Sequence, residues 1–222
     1  MVILGFDPGT HRMGWALTTP DTILDAGLIE SSGGTLDERL MELYIELCKV
    51  FDKAVENNVN LLAIEAYVSC SRMATDAVKG LIGIIRLEGT KRHLPIEMFY
   101  PTSVKKALTG DGRAEKEVVE SAARVKYGKR MYKYMDYNIT DAIAMTIVAH
   151  RTVEERLMKM EAVRRYIEEI GGYISSKNLT EKRLAKDRKE AQHMLYTLSR
   201  MYVSTGSRGK YRFSVPLVEV EQ

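Results

Sequence analysis

Apolar residues follow two periods along the chain, and each change of period marks an element. Residues 2–6 are a continuous apolar run closed by Asp7-Pro8-Gly9-Thr10, which predicts a buried strand stopped by a turn. Residues 13–18 and 23–29 predict two more strands, turned by Thr19-Pro20-Asp21-Thr22. Together they form an antiparallel meander. Helical spacing follows over 36–56, where Leu36, Leu40, Leu43, Leu47, Val50, Phe51 and Val55 share a face. Residues 61–64 predict a fourth strand, ending at Glu65. A helix over 73–88 leads to a fifth strand at 95–99, and helical patterns recur at 102–108, 115–126 and 139–170. Strands 1, 4 and 5 are joined through helices, which forces parallel pairing. The fold class is therefore α/β, with a mixed five-stranded sheet flanked by helices.

Composition narrows the class without naming it. The 222 residues are 45% hydrophobic and 28% charged, as in an ordinary globular protein. No run approaches the roughly 18 apolar residues of a membrane span. The first residues carry no basic leader, and the only cysteines, Cys48 and Cys70, have no metal-binding spacing. A cytoplasmic protein with no membrane partner is expected. Charge is uneven: residues 1–100 hold 9 Lys/Arg against 14 Asp/Glu, and residues 101–222 hold 24 against 16. That asymmetry suits a polyanionic partner for the second half, although a solvated helical surface explains it equally well.

Three acids stand out by position. Asp7 ends the first strand and Glu65 ends the fourth, so neighbouring strands in register bring both carboxylates to one sheet edge. Asp141 opens a helical run that can pack against the same end. Such a cluster is unfavourable unless cations neutralise it. Hard oxygen ligands suit magnesium or manganese, and two such ions can promote phosphodiester cleavage. Read alone, Asp-Pro-Gly is a turn and an Asp at a helix start is a cap. Glu65 is harder to dismiss, because a charge following four apolar strand residues needs a partner.

The stretches ILGFDPGTHRMGWAL (3–17), LAIEAYV (62–68), RMATDAVKGL (72–81), YPTSVKKALTGDGRAEKEVV (100–119) and TDAIAMTIVAH (140–150) resemble the RuvC family of Holliday junction resolvases. Their order and spacing cover about the first 150 residues. The resemblance implies an RNase H-like fold and a homodimeric, magnesium-dependent endonuclease, with manganese as a substitute, that nicks four-way DNA junctions in pairs. It implies metal-ligand roles for Asp7, Glu65 and Asp141. The family places an Asp or His three residues before the last acid, and here that residue is Asn138. One helical turn puts Asn138 and Asp141 on one face, and an amide carbonyl can bind a hard cation, but without charge. Asp136 can substitute only if the helix begins after it.

The resemblance also bears on DNA contacts. Lys105, Lys106, Arg113 and Lys116 flank Thr109-Gly110-Asp111-Gly112, where glycines let backbone approach a phosphate. Lys105 and Lys116 match family positions on the scissile-strand backbone. Arg72 is a further candidate. Tyr67 lies one residue from the family's aromatic wedge, which falls at Val68; a core tyrosine explains it equally well. The helix at 73–88 corresponds to the family's dimer interface, and two strands to be cut favour a two-fold dimer.

The division expected is a nuclease domain over 1–152 and an extension over 153–222. In the extension, a helix runs to about Ile170, before Gly171-Gly172. Thr180 can cap a short helix over 181–186, and Asp187 with Glu190 can box a longer one over 188–201. A hairpin follows, with a basic tip holding Arg208, Lys210 and Arg212. This is the order of a winged helix-turn-helix, with a helical hairpin that only extends the dimer interface as the other reading. Two other function classes compete for the whole chain. An actin-like phosphotransferase needs a second glycine-rich phosphate turn and a longer chain. A junction binder without catalysis is motivated by Asn138.

Overall fold

The computed structural model describes residues 1–67, 72–134, 136–170, 175–201, 204–205 and 212–213. The chain divides into two compact units, Met1–Thr152 and Val153–Gln222. The first contains β1 (Ile3–Asp7), β2 (Arg12–Thr18), β3 (Ile23–Glu30), α1 (Leu36–Glu56), β4 (Leu61–Glu65), α2 (Arg72–Lys91), β5 (Ile96–Phe99), α3 (Pro101–Thr109) and α4 (Lys116–Tyr127). A 3-10 turn, Gly128–Lys133, leads to α5 (Tyr137–Ile170), within which the unit boundary falls. The strands form one mixed sheet in the order β3-β2-β1-β4-β5. β1 is antiparallel to β2 and parallel to β4, and β4 is parallel to β5.

Alternation within the strands gives the sheet two unlike faces. Leu4, Phe6, Met13, Trp15, Leu17, Leu62 and Ile64 form one cluster with Leu43, Leu47 and Phe51 of α1 and Leu81 and Ile85 of α2. The opposite face carries small side chains where α5 crosses it: Gly5 faces Ala16 on β2 and Ala63 on β4, and Asp7 faces Gly14. A Cβ added at Gly5 would sit 2.6 Å from Cγ2 of Thr146 and 3.0 Å from the Ala142 carbonyl oxygen. One added at Gly14 would sit 2.0 Å from the Asn138 carbonyl oxygen. Ala142, Ile143 and Ile147 of α5 complete a second cluster with Ala16, Ile23, Ala123, Tyr127 and Met131. Deeper along α5, His150 Nε2 lies 3.0 Å from the hydroxyl of Thr18, a buried pair.

The second unit packs Val163 and Ile167 of α5 against Leu179 of α6 (Ser176–Glu181), Ala185, and Ala191, Met194 and Leu195 of α7 (Arg188–Met201). The short helix lies over 176–181 rather than 181–186. Its cap is Ser175, whose hydroxyl accepts the Asn178 N–H while the Asn178 side chain accepts the Ser175 N–H. That reciprocal box satisfies two helix-end donors, so it outcompetes Thr180, whose hydroxyl instead donates back to Lys177 and Ser176. At α7, Asp187 accepts the Glu190 N–H at 2.8 Å, as expected of a cap, but Glu190 reaches back to the N–H of Lys186 rather than of Asp187. β6 (Ser204–Thr205) and β7 (Arg212–Phe213) pair antiparallel. The expected tip, with Arg208 and Lys210, lies outside the described residues, as do Val68 and the side chains of Arg72 and Arg212.

The seating of α5 predicts that Gly14→Ala is destabilising out of proportion to its size. The added methyl meets helix backbone, which cannot yield as a side-chain tip can, so a loss of about 1–3 kcal/mol is expected in urea unfolding. Wild-type stability in that variant would contradict so close an approach.

Candidate active site

Parallel register sets the first two acids side by side. Phe6 pairs with Ile64, so Asp7 and Glu65 follow at the same level on adjacent strands and on the same face as Gly5 and Ala63. That is the small-residue face covered by α5. Because Gly14 is directly opposite Asp7 and in contact with Asn138, the first turns of α5 come down beside Asp7. Asp141 follows Asn138 by three residues and faces the same way. The positive end of the α5 backbone dipole therefore lies at the acids.

Electrostatics shows that the three carboxylates share one environment. Burial, followed by the charge of Asp141, pushes Asp7 up to about 7. Burial, followed by the charges of Asp7 and Asp141, pushes Glu65 up to about 8. Asp141 is raised as well, chiefly by burial, against the lowering effect of Lys116 and Lys105. Asp136 adds its charge to the fields at Asp7 and Asp141. Among the described residues, no three acidic, imidazole or thiol groups stand close enough to be a ready-formed ion cage. The acids are coupled by charge across a short gap. Their unmet negative charge and all-oxygen donor set fit hard divalent cations and give no purchase to soft ones.

Two lysines face this cluster from α3 and α4. Lys116 Nζ is 3.9 Å from Asp141 Oδ2 and 5.2 Å from the ring centre of Tyr137, whose hydroxyl donates to Glu117 at 3.0 Å. Lys105 Nζ donates to the Ala114 carbonyl at 2.8 Å, tying α3 to the loop that precedes α4. That loop opens at Gly110, whose φ of 85° lies in the left-handed region that favours glycine. Asp111 then accepts the Arg113 N–H at 2.9 Å, which fixes the turn. Lys106 and Arg113 are exposed nearby. Tyr67 is partly buried and packs on the large-residue core.

The helix does begin after Asp136, the condition under which Asp136 could stand in for Asn138 as a ligand; the contacts Asp136 makes were not legible from sequence spacing. Asp136 immediately precedes α5 and caps it, accepting the Asn138 N–H at 2.8 Å and the Asn138 side-chain amide at 3.0 Å on the same oxygen. Its other oxygen accepts from Arg12 Nη2 at 2.7 Å, and Arg12 also pairs with Glu30 at 3.1 Å. Arg12 opens β2, five residues after Asp7, and only the hairpin geometry brings it to the start of α5.

Comparison with known proteins places the chain in a family. Residues 3–150 match the family model for crossover junction endodeoxyribonuclease RuvC. A RuvC of Rhodopirellula baltica is 32% identical over 155 residues, covering 67% of this chain and 85% of the relative. One of Paracoccus denitrificans is 29% identical over 167 residues, covering 73% and 99%. Among solved structures, Thermus thermophilus RuvC in complex with a Holliday junction substrate superimposes with a TM-score of 0.60 at 21% identity, covering 68% of this chain and 96% of that one. The match spans every strand of the sheet and α5 as far as residue 150, and the chain belongs to the RuvC family of crossover junction endodeoxyribonucleases.

Proposed function

We propose that this chain is a cytoplasmic, homodimeric enzyme that resolves four-way DNA junctions by paired phosphodiester hydrolysis supported by magnesium, with manganese able to replace it. The observation that carries this reading is the convergence of Asp7, Glu65 and Asp141, from three separate elements, into one mutually repelling cluster with Lys105 and Lys116 at its edge. Asp7, Glu65, Asp141 and Asn138 would hold the cation. When bound, a divalent cation supplies Lewis acidity toward a phosphate oxygen and offsets the negative charge of the cluster.

The remaining roles fall to the protein's own groups. Lys105 and Lys116 draw the scissile-strand phosphates toward the acids and offset charge there. Tyr137 steers the Lys116 ammonium over its ring, and burial under α5 limits water around the carboxylates. Lys106, Arg113 and Arg72 extend the basic surface along the strand. Tyr67, two residues past the end of β4 and packed partly on the core, offers an aromatic ring to a base at the crossover. In the second unit, α6 and α7 form a helix pair whose turn and second helix carry Lys186, Arg188 and Lys189, all exposed. These three, with Arg208, Lys210 and Arg212, grip the phosphates of a junction arm.

Cleavage of a labelled four-way junction tests the reading. Asp7→Asn should lower the nicking rate by roughly 10²-fold or more, since a cation's contribution is several kcal/mol, while junction binding stays near wild type. Nicking close to the wild-type rate would remove Asp7 from the site. Wild-type protein that binds the junction but never cuts it in magnesium or manganese would instead favour the non-catalytic reading that Asn138 invites. For the second unit, replacing Lys186, Arg188 and Lys189 by Ala should flatten the dependence of log affinity on log salt, by roughly 0.9 for each phosphate that is no longer neutralised. An unchanged slope would take α7 off the DNA.

A further inference from the structure

In the fourth ligand position, where the resemblance expects Asp or His, a carboxylate would present two equivalent oxygens and an imidazole a ring nitrogen. Asn138 presents one oxygen and one NH2 group, and only the oxygen can bind a cation. Rotation of the amide by half a turn would aim the donor at the metal and repel it. An asparagine at this position therefore needs something to fix its orientation.

The surroundings of Asn138 provide it. The Asn138 amide lies 3.0 Å from Asp136 Oδ1, and a carboxylate oxygen accepts only, so the facing group is the NH2. The same Asp136 oxygen takes the Asn138 backbone N–H at 2.8 Å, which ties both donors of one residue to one acceptor. Asp136 in turn is held from its far side by Arg12 Nη2 at 2.7 Å, and Arg12 is braced on Glu30 at 3.1 Å. The Asn138 backbone cannot drift, because its carbonyl oxygen is packed against Gly14, directly opposite Asp7. With the NH2 group committed to Asp136, the carbonyl oxygen is the face of the amide left for a cation.

We infer that Asp136, steadied by Arg12 and Glu30, is a positioning residue that locks the Asn138 amide in the one orientation able to bind the metal. This rests on the reading of Asn138 as a ligand. It makes Asp136 an orienting partner of a ligand, a role that such outer contacts commonly play in metal sites. It also explains how the chain tolerates an uncharged residue at this position: the lost charge is replaced by a fixed oxygen.

Manganese binding to the full-length protein, followed by paramagnetic resonance in the absence of DNA, separates the possibilities. Asn138→Ala should weaken manganese binding about tenfold or more, and Asp136→Ala should weaken it to the same extent. Asp136→Asn removes the charge but keeps an oxygen for the two donors of Asn138, so binding should stay within about twofold of wild type. The double variant Asp136→Ala with Asn138→Asp should recover affinity, because a carboxylate needs no orienting partner. Thermal unfolding without metal checks that the Ala variants remain folded. Asp136→Asn falling as far as Asp136→Ala would show that Asp136 acts through its charge, and would overturn the orienting role. Asp136→Ala binding normally while Asn138→Ala does not would overturn it as well. Normal binding by Asn138→Ala would instead refute the ligand reading on which it stands.

Discussion

The structure depends on how closely α5 lies on the sheet. Gly5 and Gly14 remove the side chains that would hold the helix off, and Ala16 and Ala63 keep the surrounding surface low. On the other face, Phe6, Trp15, Leu62 and Ile64 build a thick apolar layer under α1 and α2. The two faces divide the labour. The large-residue face supplies most of the hydrophobic stabilisation, and the small-residue face sets the distance at which Asp141 and Asn138 meet Asp7 and Glu65.

That seating has an electrostatic cost. Covering Asp7 and Glu65 with a helix takes them out of water while a third acid arrives with the cover, so all three are held above the usual carboxylate range. The amino end of α5 and the ammonium of Lys116 offset part of this, and the rest is left for a cation. The same packing energy that holds α5 down thus keeps the carboxylates together against their repulsion, as strained functional sites commonly require. Arg12, paired with both Asp136 and Glu30, ties β2 and β3 to the start of α5.

Much of this arrangement could be read from the chain. The continuous apolar run ending in Asp7, and the four apolar residues ending in Glu65, identify two buried parallel strands and the level at which they stop. The three-residue step from Asn138 to Asp141 identifies a shared helical face. What could not be read has a common cause: the signal is either an absence or a long-range pairing. Gly5 and Gly14 work by lacking a side chain, and nothing in a strand pattern says which face a missing side chain opens. Arg12 and Asp136 are 124 residues apart and meet only because the β1–β2 hairpin and the start of α5 converge. The misplaced α6 has a local cause. Ser175 and Thr180 are both acceptable caps, and the choice is made by Asn178, three residues after Ser175, which completes the reciprocal bond.

Folding forces these carboxylates together, and in the proposed function a divalent cation relieves the strain. Thermal unfolding of the metal-free protein against pH, compared with Asp7→Asn, tests this most directly. With Asp7 raised to about 7 and Glu65 to about 8, the folded state binds more protons than the unfolded chain between the ordinary carboxylate range and those values. The wild type should therefore lose stability as pH rises from about 4 to 8, relative to a variant lacking one of the charges. Magnesium added at pH 8 should raise the wild-type midpoint and leave that of Asp7→Asn little changed. Parallel curves for the two proteins across this range, with equal responses to magnesium, would contradict the account.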